Sequence, residues 1–580
     1  MKITLATLLS ATFARSLASA IPYAASTSNG LETRQTTSCE NTATSRSCWG
    51  NYSIDTDWYT VTPDTGVTRE FWLSVENVTA APDGYERYVL TFNGTSPGPA
   101  IIADWGDNLI IHVTNNLEVN GTSIHWHGIR QLNNTEHDGV PGVTQCPIAP
   151  GQTFTYTFQA TQYGSTWYHS HFTQQYGDGL LGPLIINGPA TADYDEDLGM
   201  LFLSDWSHIP ASELWDTARQ GAPPTLENGL LNGTNTFDCT DSTDANCLGT
   251  GKKFETVFES GKKYRIRIIN SAIEGHFQFS IDGHNLTVIG NDLVPLVPYS
   301  ADSVVISMGQ RYDLIVEANA ATSDYWIRAG WITACSTNDN PDDMTGIIRY
   351  DSSSTADPTT TSDVTIGSNC GDEPLVNLVP YLALNVGDIS EVTEESLSFA
   401  FSSYFTWTIN SSSLYMNWSD PTIIRVYEDQ PIWPTAYNVV PLTADSDDEW
   451  TVYVIQDLSG IGLTHPIHLH GHDFWVVGQA TGQFDIDSSD LNLVNPPRRD
   501  VASLPANGYL AIAFKKDNPG SWLMHCHIAW HASQGLAMQF VERESEIGQS
   551  MSNVQMSEDN CAAWIDYDTT AVWPQDDSGI

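Results

Sequence analysis

The chain has 580 residues and a formal net charge of −47, from 23 basic and 70 acidic residues. So acidic a chain is a poor partner for nucleic acid or an anionic membrane, and we expect neither as a ligand. The charge is typical of an enzyme that works outside the cell at acidic pH, or of simple solubility. The length predicts about three to five domains.

The first residues are typical of an exported protein. Residues 1–20 combine Lys2, an apolar stretch and Ala18-Ser19-Ala20, which predicts a cleaved secretory signal. Residues 21–34, rich in Ser, Thr and Ala, are interpreted as a possible pro-segment that ends at Arg34. No internal run is apolar and long enough to span a membrane.

Short segments of alternating apolar and polar residues follow, separated by clusters of Gly, Pro, Asn and Asp. Residues 264–269 and 451–455 are examples. This pattern predicts an all-β fold of sandwiches or barrels.

Four clusters hold ten of the sixteen histidines. They are His125-Trp126-His127-Gly128, His169-Ser170-His171, His465-Pro466-Ile467-His468-Leu469-His470-Gly471 and His525-Cys526-His527-Ile528-Ala529-Trp530-His531. Residues i and i+2 of a strand point to the same face, so each His-x-His pair presents two imidazoles to one side. A single such pair is usually an ordinary strand detail, but four indicate several transition-metal ions bound in one place.

Cys526 lies between two histidines and therefore points to the opposite face of its strand. A thiolate with two imidazoles is the blue-copper ligand set, which His531 and His465 can complete. Leu536 occupies the place of the usual weak axial methionine. Leucine cannot coordinate a metal, and the loss of this ligand should raise the reduction potential.

The other eight histidines form two quartets, one from each end of the chain. If the quartets face each other across an interface, they form a multi-metal cluster one residue away from Cys526. Electrons can then pass along the backbone from Cys526 to His525 and His527. The first and last thirds of the chain look like copies of one unit, because His-x-His-Gly precedes His-x-His in both. The middle third lacks such pairs and is interpreted as a spacer.

In order and spacing, these motifs resemble those of the multicopper oxidases, and most closely of secreted laccases from ascomycete fungi. The resemblance extends over nearly the whole chain beyond residue 34, and includes residues 120–128, 166–172 and 518–531. It implies three consecutive cupredoxin-like domains, which we place at 35–188, 189–378 and 379–580.

The resemblance also implies four copper ions and their ligands. The type 1 copper takes His465, Cys526 and His531, and the type 2 copper takes His125 and His468. The type 3 pair takes the six remaining histidines, which are His127, His169, His171, His470, His525 and His527. The implied reaction is oxidation of phenolic or other aromatic substrates, one electron at a time, coupled to four-electron reduction of dioxygen to water. We expect a secreted monomer.

Three acids are candidates for proton transfer. By position in the family, Glu274 is the best candidate for the group that accepts the proton of the phenol, and Glu227 is a second. For either, the alternative is an ordinary surface acid. Asp138 matches an acid of the family that assists proton delivery to oxygen. Some relatives carry another acid where this chain has Ala529.

Nine cysteines leave eight for disulfides once Cys526 binds copper, which suits an oxidising compartment. The resemblance implies Cys39–Cys48, Cys146–Cys561 and Cys335–Cys370. Elimination then leaves Cys239–Cys247, unless these two are free thiols. Sequons at Asn77, Asn93, Asn232, Asn285 and Asn417 are typical of a glycosylated surface.

The chain ends in Asp576-Asp577-Ser578-Gly579-Ile580, similar to the tail that plugs a solvent channel in ascomycete laccases. The alternative is a frayed tail.

Other functions stay open at this point. Ascorbate and bilirubin oxidases share the copper motifs, but they generally carry the axial methionine that Leu536 replaces. A secreted ferroxidase would need additional acidic iron ligands near the type 1 copper. A copper-binding protein without enzymatic activity is the alternative from a different class. Lignin phenols, melanin precursors and flavonoids are all compatible substrates.

Overall fold

In a computed structural model, the described residues are 39–571 and 574–580, apart from 322, 402–403, 431, 447 and 487–490. The predicted secretory signal and pro-segment lie outside the described residues. The described part of the chain is built mainly from strands, in three successive groups, and the all-β prediction is confirmed.

The first group contains two four-stranded sheets, with strand orders β4-β3-β6-β8 and β5-β10-β9-β7, preceded by the short hairpin β1–β2. Its strands are β1 (Cys48–Trp49), β2 (Tyr52–Ser53), β3 (Thr68–Ala80), β4 (Arg87–Phe92), β5 (Ile101–Asp104), β6 (Asn108–Asn115), β7 (Ile124–Trp126), β8 (Thr153–Gln159), β9 (Gly164–Ser170) and β10 (Leu181–Asn187). Leu109, Ile111 and Val113 of β6 are fully buried and alternate with more exposed residues, which is the pattern of a strand with one face on a core.

The second group contains a six-stranded sheet, β12-β11-β14-β19-β16-β17, and a five-stranded sheet, β13-β21-β20-β15-β18. Its elements are β11 (Glu196–Trp206), α1 (Ala211–Ala218), β12 (Asn228–Leu231), β13 (Phe254–Val257), β14 (Lys263–Asn270), β15 (Phe277–Ile281), β16 (Leu286–Asn291), β17 (Val294–Ala301), β18 (Val304–Ile306), β19 (Arg311–Glu317), β20 (Asp324–Trp331) and β21 (Thr345–Arg349).

The third group repeats this plan with the sheets β23-β22-β25-β30-β27-β28 and β24-β32-β31-β26-β29. Its elements are β22 (Ile389–Phe401), β23 (Phe405–Ile409), α2 (Thr422–Tyr427), β24 (Val439–Leu442), β25 (Trp450–Asp457), β26 (His465–Leu469), β27 (Phe474–Thr481), β28 (Arg498–Arg499), β29 (Val501–Leu504), β30 (Gly508–Lys515), β31 (Gly520–Cys526), α3 (Ala529–Ser533), β32 (Ala537–Glu542), α4 (Glu544–Ser550) and α5 (Val554–Asp568).

Short 3-10 turns occur at Thr135–His137, Gln175–Asp178, Leu375–Asn377 and Thr435–Tyr437. Among the described residues, no sheet combines strands of different groups. None of the described helices is long and apolar enough to cross a membrane.

The four strands that carry histidines of the clusters, β7, β9, β26 and β31, are buried along their whole length. All seven residues of β9 and all seven of β31 are buried. One apolar core continues from Trp167 on β9, through the second group, to Cys526 and Phe540 of the third. Side chains on β9 and β31 are therefore held in a dense, water-poor interior.

The four disulfides of the structure are Cys39–Cys48, Cys146–Cys561, Cys239–Cys247 and Cys335–Cys370, which are the four predicted pairs. Cys526 is the free cysteine, and it is buried. The Cys146–Cys561 bond links α5 to the first group of strands.

Candidate metal centre

The first group of possible metal ligands contains His465, Cys526 and His531. Strand pairing places Cys526 opposite Ile467 of β26, two residues after His465. Helix α3 follows β31 directly and turns His531 back toward the sulfur. Cys526 Sγ lies 3.5 Å from Nδ1 of His531 and 3.8 Å from Nδ1 of His465. The two Nδ1 atoms are 3.1 Å apart.

All three side chains are buried, and His531, at 9 % exposure, is the most accessible. Burial lowers the pKa of His465 and of His531, so both imidazoles are neutral and keep a lone pair for a metal. Burial also raises the pKa of the Cys526 thiol. A cation at the centre of the three ligands would reverse that effect and favour the thiolate.

Leu536 is buried beside this group, and its backbone carbonyl accepts a hydrogen bond of 3.0 Å from the Cys526 N–H. Trp407 packs against both imidazoles, with ring centroids 4.8 Å from those of His465 and His531. Trp407 is an apolar wall of the group that the sequence analysis missed.

The second group of possible metal ligands contains the eight other histidines of the four clusters. In the first group of strands, His125 is paired with His169 across β7 and β9. In the third, His468 is paired with His525 across β26 and β31. The two quartets meet, since His468 Nε2 lies 3.5 Å from His125 Nε2. On the other side, His171 Nε2 lies 3.4 Å from His525 Nε2.

Three sets of three ring nitrogens converge within this cluster. Each set has all of its nitrogen atoms within 4.8 Å of one another, and the sets are His125/His468/His470, His127/His169/His527 and His171/His470/His525. All eight histidines are buried.

Several of these imidazoles keep a buried ring nitrogen without a hydrogen-bond partner, including His127 Nδ1, His169 Nε2 and His470 Nε2. Buried polar atoms are normally paired, so this many unpaired nitrogens facing one another require an explanation. Burial lowers the pKa of these three imidazoles, which leaves them neutral. Neutral imidazole is a preferred ligand of copper, and the residues present therefore fit several copper ions.

Backbone carbonyls and carboxylates orient the cluster. Nδ1 of His125 and of His468 donate to the backbone carbonyls of Asp138 and Asp500, at 2.8 and 2.7 Å. These bonds fix which nitrogen is free to bind a metal. Asp138 Oδ2 also accepts from His470 Nδ1 at 2.8 Å. Asp138 is thus placed at the cluster, as the resemblance implied.

Asp500 is a second carboxylate at the cluster, and the sequence analysis missed it. Its Oδ1 lies 3.2 Å from His127 Nε2, and Arg311 forms an ion pair with both of its oxygens. Burial raises the pKa of Asp500, and Arg311 opposes this shift. The run Arg498-Arg499-Asp500 was a signal, because charged residues between buried strands need partners.

Glu274 lies beside the group of possible metal ligands formed by His465, Cys526 and His531. It is 4 % exposed, and its Oε2 accepts a hydrogen bond of 2.7 Å from Trp530 Nε1, one residue before His531. Its Oε1 has no hydrogen-bond partner. Burial, and then the negative charge of Asp205, raise the pKa of Glu274 well above its ordinary value.

Asp205, a buried acid next to Glu274, was also missed by the sequence analysis. Its two oxygens accept hydrogen bonds from the backbone N–H groups of Ile273, Glu274 and Gly275, at 2.9, 2.9 and 3.1 Å. Asp205 therefore shapes the turn that presents Glu274. Burial raises its pKa to about 6, although these hydrogen bonds oppose the shift.

Glu227 lies in a different environment. Its Oε2 accepts a hydrogen bond of 3.1 Å from the backbone N–H of His208, whose ring contacts Asp83. Among the described residues, none of its hydrogen bonds is to Glu274, Trp530 or the group around Cys526. The structure thus brings Glu274, but not Glu227, next to the first group of ligands.

The end of the chain is buried near the histidine cluster. Ser578 N–H and Oγ donate to the carbonyls of Ser533 and Ala532, at 2.9 and 2.8 Å. Trp418 Nε1 donates to Gly579 O at 2.8 Å. Ile580 is 2 % exposed and lines a small cavity together with histidines of both quartets.

Comparison with known proteins agrees with this geometry. Three family models, each described as multicopper oxidase, match residues 74–191, 197–353 and 406–546. The chain is 65 % identical to Laccase-2 of Botryotinia fuckeliana over 582 aligned residues, which cover 100 % of this chain and 99 % of that protein. It is 58 % identical to Laccase-1 of the same organism over 569 residues, covering 97 % of each.

Solved structures give the same result. The crystal structure of a laccase from Botrytis aclada matches with 66 % identity and a TM-score of 0.91, and covers 94 % of this chain and 100 % of that one. Fet3p, a multicopper oxidase that functions in iron import, matches with 27 % identity and a TM-score of 0.76, and covers 86 % and 95 %.

The chain therefore belongs to the multicopper oxidase family, a class of copper-containing oxidoreductases with cupredoxin-like domains. Within that family it is a laccase of the ascomycete type.

Proposed function

We propose that this laccase is secreted, acts as a monomer and uses four copper ions to oxidise phenols with dioxygen. One observation carries the proposal: Cys526 belongs to one metal-binding group, while its neighbours His525 and His527 belong to the other. A site that handles single electrons is thus joined by covalent bonds to a site that can hold several metal ions.

The proposed ligands are those that the family resemblance implies, and the positions of the donor atoms are compatible with them. The type 1 copper takes His465, Cys526 and His531. Of the six type 3 histidines, one copper takes His127, His169 and His527, and the other takes His171, His470 and His525. These assignments leave His125 and His468, the two remaining histidines of the cluster, for the type 2 copper. The proposal is supported by the convergence of the donor atoms and, for the type 3 pair, by the unpaired nitrogens of His127, His169 and His470. When bound, the copper ions store and transfer electrons.

The electrons and protons of the reaction balance. Each phenol loses one electron and one proton and leaves as a phenoxyl radical. Four phenols supply the four electrons and four protons that convert one dioxygen to two waters. The protein must therefore remove a proton at the phenol and supply protons at the oxygen site.

Glu274 is proposed to accept the proton of the phenol. A phenol at the exposed edge of His531 would be close to Glu274, because Trp530 holds this carboxylate next to the start of α3. Oε2 is held by the indole, while Oε1 is free to receive a hydrogen bond from the substrate. Trp530 and Asp205 are positioning residues, since they fix the side chain and the backbone of Glu274 respectively.

Asp138 is proposed to supply protons on the oxygen side. It is buried in the cluster and contacts His470 with one oxygen, while its other oxygen, Oδ1, lies 3.3 Å from His125 Nδ1. Asp500, which forms an ion pair with Arg311, is proposed to orient His127 and His468 instead. The tail that ends at Ile580 is proposed to limit solvent access to the same cluster.

The domain limits that we propose, 35–188, 189–378 and 379–580, are supported by the separation of the sheets. Secretion is supported by the four disulfides, which persist in oxidising compartments.

Oxygen consumption by the copper-loaded protein tests this function. With equal concentrations of 2,6-dimethoxyphenol, ferrous iron and ascorbate, we expect uptake to be fastest with the phenol, with one O₂ consumed for four phenols. Faster uptake with ferrous iron would instead support a ferroxidase. Release of hydrogen peroxide in place of water would contradict the four-electron reaction.

A further inference from the structure

The hairpin formed by β22 and β23 carries a row of aromatic side chains on one face. The cross-strand pairs are Leu397 with Ile409, Phe399 with Trp407, and Phe401 with Phe405. Because side chains alternate along a strand, these three pairs all project from the same face. The row therefore runs from the core of the third group of strands outward toward the turn.

The inner end of this row contacts the proposed ligands of the type 1 copper. Trp407 packs against His465 and His531, and the ring of Phe405 packs edge-on against Trp407 with centroids 5.1 Å apart. The ring of Phe399 stacks on Phe405 at 5.4 Å. The aromatic contacts thus continue without a break from the type 1 ligands to Phe399.

The outer end of the row is open to solvent. Trp407 is 1 % exposed, whereas Phe399 is 44 % and Phe401 is 64 % exposed. Phe401 stands about 7 Å beyond Phe399, since two residues along a strand span about this distance. Large exposed aromatic side chains beside a functional site commonly mark a binding surface.

The segment that carries the row has no charged side chain, and Arg219, whose carbonyl accepts a hydrogen bond from the Phe405 N–H, is paired with Asp216 and Asp576. No Asp, Glu, Lys or Arg occurs from residue 396 to residue 419, although the chain as a whole carries a net charge of −47. A neutral aromatic surface favours a neutral aromatic ligand over an ionic one, because ring faces and edges attract each other and charged groups would lose hydration there.

The edge of β23 is already covered. The backbone N–H groups of Phe405 and Trp407 donate to the carbonyls of Arg219 and Gln534, at 2.9 and 3.0 Å. A second copy of the chain could not pair with these groups as an added strand, so the exposed rings are better suited to a ligand that uses side-chain contacts only.

We propose that Phe399 and Phe401 form an outer subsite that binds the second aromatic ring of a multi-ring phenol whose phenolic ring lies at His531. This inference rests on the proposed function and narrows it, because it assigns oligomeric or aryl-substituted phenols as preferred substrates over single-ring phenols. The phenolic ring loses its electron and proton as before, and the second ring undergoes no reaction.

Two phenols of matched electronic character test this proposal. 4-Methoxyphenol and 4-benzyloxyphenol both carry a para alkoxy group, but only the second has an additional ring. In the copper-loaded enzyme, we expect Phe401→Ala to lower kcat/KM for 4-benzyloxyphenol about fivefold, mainly through KM. This change corresponds to about 1 kcal/mol at about 1.4 kcal/mol per tenfold. For 4-methoxyphenol, kcat/KM should change less than about twofold.

Control variants separate this effect from general damage. Phe401→Trp should retain the preference for 4-benzyloxyphenol, because it retains an aromatic face. Trp72→Ala removes an aromatic residue of similar exposure, 63 %, from strand β3 and should leave both substrates unaffected. The inhibition constant of benzyl phenyl ether, which has no phenolic proton, should rise in Phe401→Ala as KM does.

Failure of the outer subsite can be distinguished from failure of the proposed function. If the wild type oxidises 4-methoxyphenol but Phe401→Ala changes both substrates equally, or neither, the outer subsite is refuted and the laccase function stands. The subsite is also refuted if Phe401→Ala changes only the sedimentation of the protein from dimer to monomer. If the wild type oxidises neither phenol, the proposed function fails, and this inference fails with it.

Discussion

Replacing Glu274 by glutamine removes the proposed proton acceptor with little change in shape. The amide oxygen can still accept the hydrogen bond from Trp530 Nε1, and the free position at Oε1 is filled by an NH₂ group that cannot accept a proton. General base catalysis typically contributes 10²–10⁴-fold. We expect the lower end, about a hundredfold in kcat/KM for phenols, or about 2.7 kcal/mol, because water can accept the proton more slowly.

The pH dependence of the loss in kcat/KM is the most informative test of the role of Glu274. Glu274 works only when deprotonated, and burial together with Asp205 raises its pKa above the ordinary value of about 4.3. The hundredfold deficit of Glu274→Gln should therefore be present above the raised pKa and should shrink as the pH falls below it. Asp205→Asn removes the nearby negative charge, so it should lower the pKa of Glu274 and move the transition to lower pH.

The assay is initial-rate oxygen uptake with 2,6-dimethoxyphenol across pH for the wild type and both variants. Ferrocyanide, a donor without a proton to lose, is the control and should be oxidised within about twofold of the wild-type rate. The thermal stability of Glu274→Gln near neutral pH should not fall, because a buried carboxylate with a raised pKa destabilises the fold at that pH. An equal loss with ferrocyanide, or a deficit independent of pH, would refute the role of Glu274.

Three further predictions concern the type 1 copper, the tail and the disulfide that links α5 to the first group of strands. Leu536→Met should lower the reduction potential of the type 1 copper, because a thioether can act as a weak axial ligand; a redox titration of the blue band that shows an equal or higher potential would contradict this. Deletion of residues 577–580 should change the apparent KM for oxygen and leave the phenol KM within about twofold, and unaltered oxygen kinetics would exclude a plug. Replacing both Cys146 and Cys561 by serine opens a loop of 415 residues and should lower the free energy of unfolding by about 2–5 kcal/mol in denaturant titrations, whereas equal stability would show that the bond is dispensable.

The sequence was sufficient to predict the fold class and to identify the histidines and the cysteine that converge at the candidate metal centre. Alternating patterns predict strands because one face of each strand must be buried, and β6 shows this directly. The His-x-His pairs predict two imidazoles on one face for the same reason. Strand pairing then places His125 beside His169 and His468 beside His525, as the two-quartet interpretation requires.

The residues that were missed depend on contacts between distant parts of the chain. Asp205 is a single acid in an ordinary-looking segment. The run Arg498-Arg499-Asp500 indicates that Asp500 has a charged partner, but only the fold brings Asp500 to the histidine cluster and Asp205 to Glu274. Trp407 looks like a core residue of a hairpin, and its contact with His531 requires α3 to pack against β23. Glu227 was proposed from its position in the family, but its carboxylate instead contacts the backbone of His208.

The central claim is that Cys526 holds one copper of its own while its two neighbours serve a separate cluster. Copper content per chain, measured together with the visible spectrum for wild type and Cys526→Ser, tests this claim most directly. We expect four copper ions and an intense blue band in the wild type, and three copper ions without the blue band in the variant. A variant that keeps the blue band, or that loses all of its copper while still folded, would contradict the account.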